Sequence, residues 1–140
     1  MISFFKDKDA TSNIKSYSKI AALLIHAAKI DENYEDIERE IIKKTLIELG
    51  AESSNIDELI LYATSIEENS NQILDFTKEV KSYPHSDKIK IIESLWKIIY
   101  SNNNADVYEA NLMRRLAGLL YIDAKDMGDI KEKVKRKLKK

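Results

Sequence analysis

Cysteine is absent from this 140-residue sequence, and glycine and proline are scarce. The lack of cysteine excludes disulfides and thiolate metal sites. Three glycines and one proline leave few points at which a helix must break. Long apolar runs are also missing, because the longest, Ile20 to Ala28, falls short of the ~18 residues that a membrane-spanning helix needs. The apolar start before Lys6 is too short for a signal peptide, so we expect a cytoplasmic protein without a transmembrane segment.

Charge is unevenly distributed, although the formal net charge is only −1. The last ten residues, "KEKVKRKLKK", contain seven basic side chains and one acidic side chain, and therefore carry +6. The rest of the chain carries −7, from 16 basic and 23 acidic side chains. Acidic residues are densest in "DENYEDIERE", residues 31–40, which has six of them and one arginine. The sequence thus combines an acidic body with a basic C-terminal tail.

Hydrophobic spacing predicts helices along the whole chain. In the first helical stretch, Ile14, Tyr17, Ala21, Leu24 and Ala28 follow the 3–4 spacing of an amphipathic helix. The same spacing continues in six further segments, and no alternating pattern of strand length competes with it. The predicted fold is a single all-α domain over residues 1–140, with about seven helices packed as one bundle. The later helices are expected at about 36–49, 54–67, 72–82, 86–100, 107–120 and 124–140.

Helix boundaries are marked by short local signals. Gly50 follows the second predicted helix and is expected to take a left-handed conformation that stops it. Ser54 and Asp57 have the spacing of a capping box, which predicts that the third helix begins there. In the last helix, Met127, Ile130 and Val134, with Leu138, form an apolar stripe that suits docking onto the domain or onto a partner.

Two segments, about 13–50 and 86–121, match each other at an offset of 71 residues. Both have the order helix, short acidic or asparagine-rich loop, helix. This pattern indicates two pseudo-symmetric helical hairpins, although two amphipathic hairpins can also align in this way by chance. The matched residues are Ile20 with Ile91, Leu24 with Leu95, Asn33 with Asn104, Glu38 with Glu109, and Leu49 with Leu120.

A known family shares these motifs. The stretch "ESLWKIIYSNNNADVYEANLMRRLAGLLYI" resembles the second half of the tellurite-resistance protein B (TerB) family, and "LLIHAAKIDENYEDIEREII" is similar to its first half. The resemblance implies an all-α fold of about seven helices with internal pseudo-symmetry, and a link to tellurite resistance and stress response. The matching residues are Leu23, Leu24, Ala28, Asp31 and Glu38 in the first half, and Trp96, Tyr100, Asp106, Tyr108, Glu109, Arg114, Arg115, Ala117, Leu119 and Leu120 in the second.

The resemblance also implies acidic loops that attract a divalent cation, Ca²⁺, Mg²⁺ or Mn²⁺. Two interpretations of these acidic residues stay open: a weak divalent site in the first hairpin, or helix capping and turn chemistry alone. Neither loop has the glycine and the bidentate glutamate that an EF-hand requires. The family's Asp-Gly pair is also replaced, by Asp31-Glu32 in the first loop and by two asparagines in the second. The candidate metal ligands are Asp31, Glu35, Glu38 and Glu109.

No arrangement typical of an enzyme is present in the sequence. The two histidines, His26 and His85, lack the spacing of a zinc site, and no glycine-rich phosphate loop is found. We therefore expect no catalytic or cofactor-binding residues. Two functions remain: an adaptor that binds a protein partner, and a divalent-cation-binding module built on the acidic first hairpin.

The basic tail allows three interpretations. It is a solvated helix end favoured by the helix dipole, a contact with an anionic membrane surface, or a contact with nucleic acid. The resembled family is associated with integral membrane components, which favours a partner at the inner membrane over nucleic acid. We expect a membrane-associated protein partner, a peripheral location at that membrane, and no nucleic-acid partner.

Overall fold

The computed structural model describes residues 17–29, 36–70, 74–100 and 105–138. Every regular element in these ranges is helical, which confirms the predicted all-α class. A single 3₁₀ turn, Ser53–Asn55, precedes the third α-helix. The α-helices are residues 17–29 (α1), Asp36–Leu49 (α2), Ile56–Glu68 (α3), Leu74–Val80 (α4), His85–Tyr100 (α5), Ala105–Leu119 (α6) and Ala124–Leu138 (α7).

The end of α2 has the form that its sequence predicts. Gly50 has a φ of 121°, a region that side chains rarely enter. Its N–H bonds the carbonyl of Ile47 at 3.0 Å, and the N–H of Ala51 bonds the carbonyl of Leu46 at 2.9 Å. This pair of bonds is a Schellman motif, which satisfies two of the carbonyls left open at the helix end.

Helix α6 ends in the same way without a glycine. Tyr121 has a φ of 58°, and the N–H of Ile122 bonds the carbonyl of Ala117 at 2.9 Å. Lys88, which is 8% exposed, donates a hydrogen bond of 3.0 Å to the Leu120 carbonyl and lies over the Tyr121 ring. The left-handed position is therefore held by contacts from α5, although tyrosine disfavours it intrinsically.

Two contacts recur at the offset of 71 residues found in the sequence. Tyr17 donates to the Leu49 carbonyl at 3.2 Å, and Lys88 donates to the Leu120 carbonyl at 3.0 Å. In both hairpins, the donor lies in the first helix and the acceptor lies at the end of the second. The matched contacts support the proposal of a duplicated hairpin, which stays a prediction.

The start of α3 differs from the sequence-based expectation. Neither the residue that precedes the 3₁₀ turn nor Asn55, which precedes α3, makes a side-chain capping bond. Asp57, the expected partner of Ser54, lies 3.0 Å from Lys43 Nζ on α2. The capping-box prediction was wrong, because the 3₁₀ turn carries the chain into α3 and a long-range ion pair uses the aspartate.

The hydrophobic core runs continuously through both hairpins. Helix α1 contributes an almost uninterrupted buried segment from Ile20 to Ala28, and α5 packs against both α2 and α7. Ile25 and Trp96, which the duplication pairs, are both buried. Thr45 and Ser94 form a buried hydrogen bond of 2.7 Å that joins α2 to α5.

The basic C-terminal helix is docked on the body of the protein. Met127, Ile130 and Val134 are buried, as their spacing predicts, and they pack α7 against α5. The basic side chains therefore stand on the flanks of a helix whose apolar stripe is already covered.

Candidate functional site

The structure describes only part of the predicted metal site. Asp31 and Glu35 lie outside the described residues, and Glu109 lies in α6 with its side chain outside them. Glu38 is described: it stands in the first turn of α2 and is 0% exposed. Within the part of the chain that the structure describes, no group of three or more potential metal ligands is found. The metal assignment therefore stays a prediction.

Glu38 is an acidic residue in an unusual position for its charge. A carboxylate this deeply buried is tolerated only with hydrogen-bonding or ionic partners, and Glu38 has at least one such interaction within the protein. Its place in the first turn of α2 also favours a negative charge, because the helix dipole is positive there. Capping and cation binding both remain open for this side chain.

A groove of about 460 Å³ runs between α2 and α3. Ile60 is buried on its floor, whereas Leu61 stands at its edge with 73% of its surface exposed. Lys43 and Asp57 bridge the groove at 3.0 Å. The other lining residues are Lys29, Arg39, Thr64 and Glu68. The groove thus combines an exposed apolar edge with a set of charges of both signs.

An ion cluster holds the end of α3 against α1. Lys29 Nζ donates to Glu67 at 2.7 Å, and His26 Nδ1 lies 3.1 Å from the other carboxylate oxygen. Since a carboxylate only accepts, the His26 nitrogen that faces it carries the hydrogen. Burial alone would raise the pKa of Glu67, but the bonds from Lys29 and His26 outweigh it and lower the pKa. His26 is therefore a structural residue beside the core, as expected of a histidine without metal-ligand spacing.

The basic side chains of α7 interact with α5. Lys131 Nζ lies 5.4 Å from the centre of the Trp96 ring, and Lys135 Nζ lies 6.0 Å from that of Tyr100. The two aromatic rings stack with their centroids 5.8 Å apart. Cations held over aromatic faces are attracted to the negative charge of the ring. Much of the predicted basic tail is therefore engaged within the protein.

Glu93 on α5 is a second anchor for the same helix, and sequence reasoning missed it. Lys133 and Lys137 of α7 lie 3.6 Å and 3.4 Å from its carboxylate, and Lys97 lies at 3.6 Å. Burial by itself would raise the pKa of Glu93. The three lysines outweigh this effect, so the pKa lies below its usual value. Of these ion pairs, only Glu93 with Lys97 could have been predicted from the sequence, because oppositely charged residues four apart are neighbours on a helix.

Comparison with known proteins relates the chain to a protein family. A family model described as "Tellurite resistance protein TerB" matches residues 18–132, which is most of the chain. No curated protein and no solved structure matches the sequence. Among the described residues, no helix is both long enough and apolar enough to cross a membrane.

Proposed function

Because this chain belongs to the tellurite resistance protein TerB family, we propose that it is a non-enzymatic helical adaptor linked to tellurite resistance and stress response. It binds a protein partner in the cytoplasm or at the surface of the inner membrane. The observation that carries this proposal is Leu61, the most exposed large hydrophobic side chain among the described residues, at the edge of the α2–α3 groove.

An amphipathic helix of the partner is the occupant we propose for this groove. Such helices bind by laying apolar side chains into a groove between two helices, and Ile60 with Leu61 offers an apolar contact of this kind. Three basic and two acidic side chains line the groove, so acidic residues on the flanks of the partner helix would complement it.

The adaptor proposal is tested by cross-linking and co-purification from cells that express the protein. We expect a defined protein partner to co-purify with the wild-type chain. The same partner should not co-purify with Leu61→Asp, which places a charge at the groove edge. Tyr62→Asp is the matched control, because Tyr62 is 44% exposed on the same helix but does not line the groove. Leu61→Asp should also fail to restore tellurite resistance to a strain that lacks the gene. Equal recovery of the partner by both variants would contradict the proposal.

The second candidate function is a divalent-cation-binding module. It is favoured by Glu38, a buried carboxylate within the acidic segment 31–40 of the first hairpin. Crowded carboxylates repel one another, and a bound cation or a basic partner relieves that repulsion. With fewer oxygen ligands than calcium prefers, we propose binding at roughly 10⁻⁴–10⁻³ M, with Asp31, Glu35 and Glu38 as ligands.

Amide chemical shifts on titration with Ca²⁺ or Mg²⁺ distinguish this candidate. We expect saturable changes confined to residues 30–40 and lost in Asp31→Asn. Asp106→Asn, at the matching loop of the second hairpin, serves as the control and should leave the changes intact. Equal small drifts in residues 30–40 and 101–111 would exclude a specific site in the first hairpin, and also one at Glu109 in the second.

A further inference from the structure

A pocket of about 360 Å³ opens between α6 and α7, above α5. Its volume lies near the lower end of the roughly 300–1,000 Å³ of small-molecule sites. The described residues that line it are Trp96, Met113, Arg114, Ala117, Ala124, Met127, Gly128 and Lys131.

The inner part of the pocket is apolar and its edge is formed by small residues. Trp96, Met113 and Met127 are each more than nine-tenths buried. Methionine side chains adapt their shape to an apolar guest, because they are unbranched and polarizable. At the edge, a side chain added to Gly128 would meet nothing within 4 Å, so the pocket is open on that side.

The polar groups of the pocket point to an anionic ligand. Arg114 is exposed at its edge, and no carboxylate is present among the described lining residues. The indole nitrogen of Trp96 is buried without a hydrogen-bond acceptor among the described residues.

We propose that this pocket binds a small amphipathic carboxylate, such as a medium-chain fatty acid or an arylalkanoic acid. The apolar body lies between the two methionines, Met113 and Met127. The carboxylate accepts paired hydrogen bonds from the Arg114 guanidinium, whose planar fork matches its two oxygens. Among the described residues, none lines both this pocket and the α2–α3 groove, so we expect ligand binding here to be independent of that groove.

Trp96 is the only tryptophan of the chain, so its fluorescence reports directly on the pocket. Octanoate is the probe, with octanol and octylammonium as neutral and cationic controls of the same length. We expect a saturable change in Trp96 emission with octanoate, binding at least about tenfold weaker with octanol, since a charge-assisted bond is lost, and no saturation with octylammonium. No saturation with octanoate, or equal affinity for all three probes, would overturn the proposal.

Two matched pairs of variants locate the site, with calorimetry as a second measure of affinity. Gly128→Leu fills the pocket and should abolish octanoate binding, whereas Gly118→Leu should not, because Gly118 is equally open but does not line it. Arg114→Gln should weaken binding about tenfold or more, while Arg115→Gln, exposed on the same helix outside the pocket, should leave it unchanged.

The octanoate affinity of one further variant, Leu61→Asp, separates this proposal from the adaptor function. Leu61→Asp should bind octanoate like the wild type, whatever its effect on a protein partner. All these positions are exposed, so circular dichroism should show folded variants. Octanoate affinity that is unchanged in both Gly128→Leu and Arg114→Gln would place the ligand elsewhere and overturn the proposal.

Discussion

Glu67 shows how one carboxylate near the core can fasten two helices. It is 11% exposed and bonded from α1 by both Lys29 and His26. Its neighbour Glu68 is 61% exposed and lies 4.0 Å from the same lysine. The two glutamates therefore have similar chemistry but different surroundings. The bonds from Lys29 and His26 lower the pKa of Glu67 against the effect of its burial.

We expect acid to destabilise the protein partly through Glu67. Because its folded pKa lies below the ordinary value of about 4.3, its stabilisation is present above that pH and is lost as the pH falls through the folded pKa. Glu67→Gln should lower the free energy of unfolding at neutral pH by about 1 kcal/mol and flatten the acid side of the stability profile. Denaturant unfolding from pH 7 to pH 3 measures this, with Glu68→Gln as the near-neutral control. Parallel profiles for the wild type and Glu67→Gln would contradict it.

At the scale of the helix, two ends with the same hydrogen-bond pattern are held by different means. Gly50 needs no help to adopt its positive φ, but a side chain there would lie closer to the Tyr17 hydroxyl than van der Waals contact allows. Tyr121 has a positive φ in spite of its side chain, with Lys88 bonding the preceding carbonyl. One end depends on residue type and the other on tertiary contacts.

Gly50→Ala should therefore lower the free energy of unfolding by more than backbone strain alone would. We expect a loss of about 1–2 kcal/mol from the backbone conformation, and a further loss from displacing Tyr17. In a Tyr17→Phe background the same substitution should cost less, because the hydroxyl that blocks it is gone. Gly118→Ala, in an open helical position, should instead stabilise by about 1 kcal/mol. Chemical denaturation of the double-mutant cycle provides the measurement, and an identical Gly50→Ala cost in both backgrounds would argue against the steric explanation.

Lys88 offers a second test at the same scale. Lys88→Met keeps the apolar stem but leaves the Leu120 carbonyl without its donor, so we expect a loss of about 1–3 kcal/mol. The end of α6 should open first, which amide hydrogen exchange at Tyr121 and Ile122 would detect. Lys90→Met, on the exposed face of the same helix, is the control and should change stability little. Similar small losses in both variants would show that the bond adds nothing to the helix end.

At the scale of the whole molecule, the two hairpins share one core. Helix α5 packs against α2 of the first hairpin and against α7, and the buried bond between Thr45 and Ser94 crosses the same boundary. Buried residues of α1, α2, α5 and α6 belong to one cluster. Neither hairpin has a core that is separate from the other.

We therefore expect a single cooperative unfolding transition. Trp96 fluorescence reports the packing of α5 and α7, whereas far-ultraviolet circular dichroism reports all the helices, and their midpoints should coincide. Trp96→Ala should lower the free energy of unfolding by about 3–5 kcal/mol, measured by circular dichroism because the fluorophore is removed. Two separate transitions in the wild type would show that the hairpins unfold independently.

The sequence by itself determined the local features. Apolar residues at helical spacing predicted the α-helices, Gly50 predicted the end of α2, and the stripe of Met127, Ile130 and Val134 predicted the docked face of α7. These signals are local, because spacing within one helix decides which face is apolar, and a glycine decides where the chain can reverse. The motifs of the two hairpins also indicated the TerB family, which the family model confirmed.

Tertiary structure alone decided which distant side chains meet. Glu67 lies 41 residues from His26 and 38 from Lys29, and Lys88 lies 32 from the carbonyl that it caps. The same holds for the pocket, because its lining residues come from three different helices, α5, α6 and α7. Such contacts depend on the angles and offsets at which helices pack, and many arrangements satisfy the same hydrophobic spacing. Local spacing determines which face of each helix is apolar, whereas the packing of the helices against one another determines which distant residues form the ion cluster, the helix cap and the pocket.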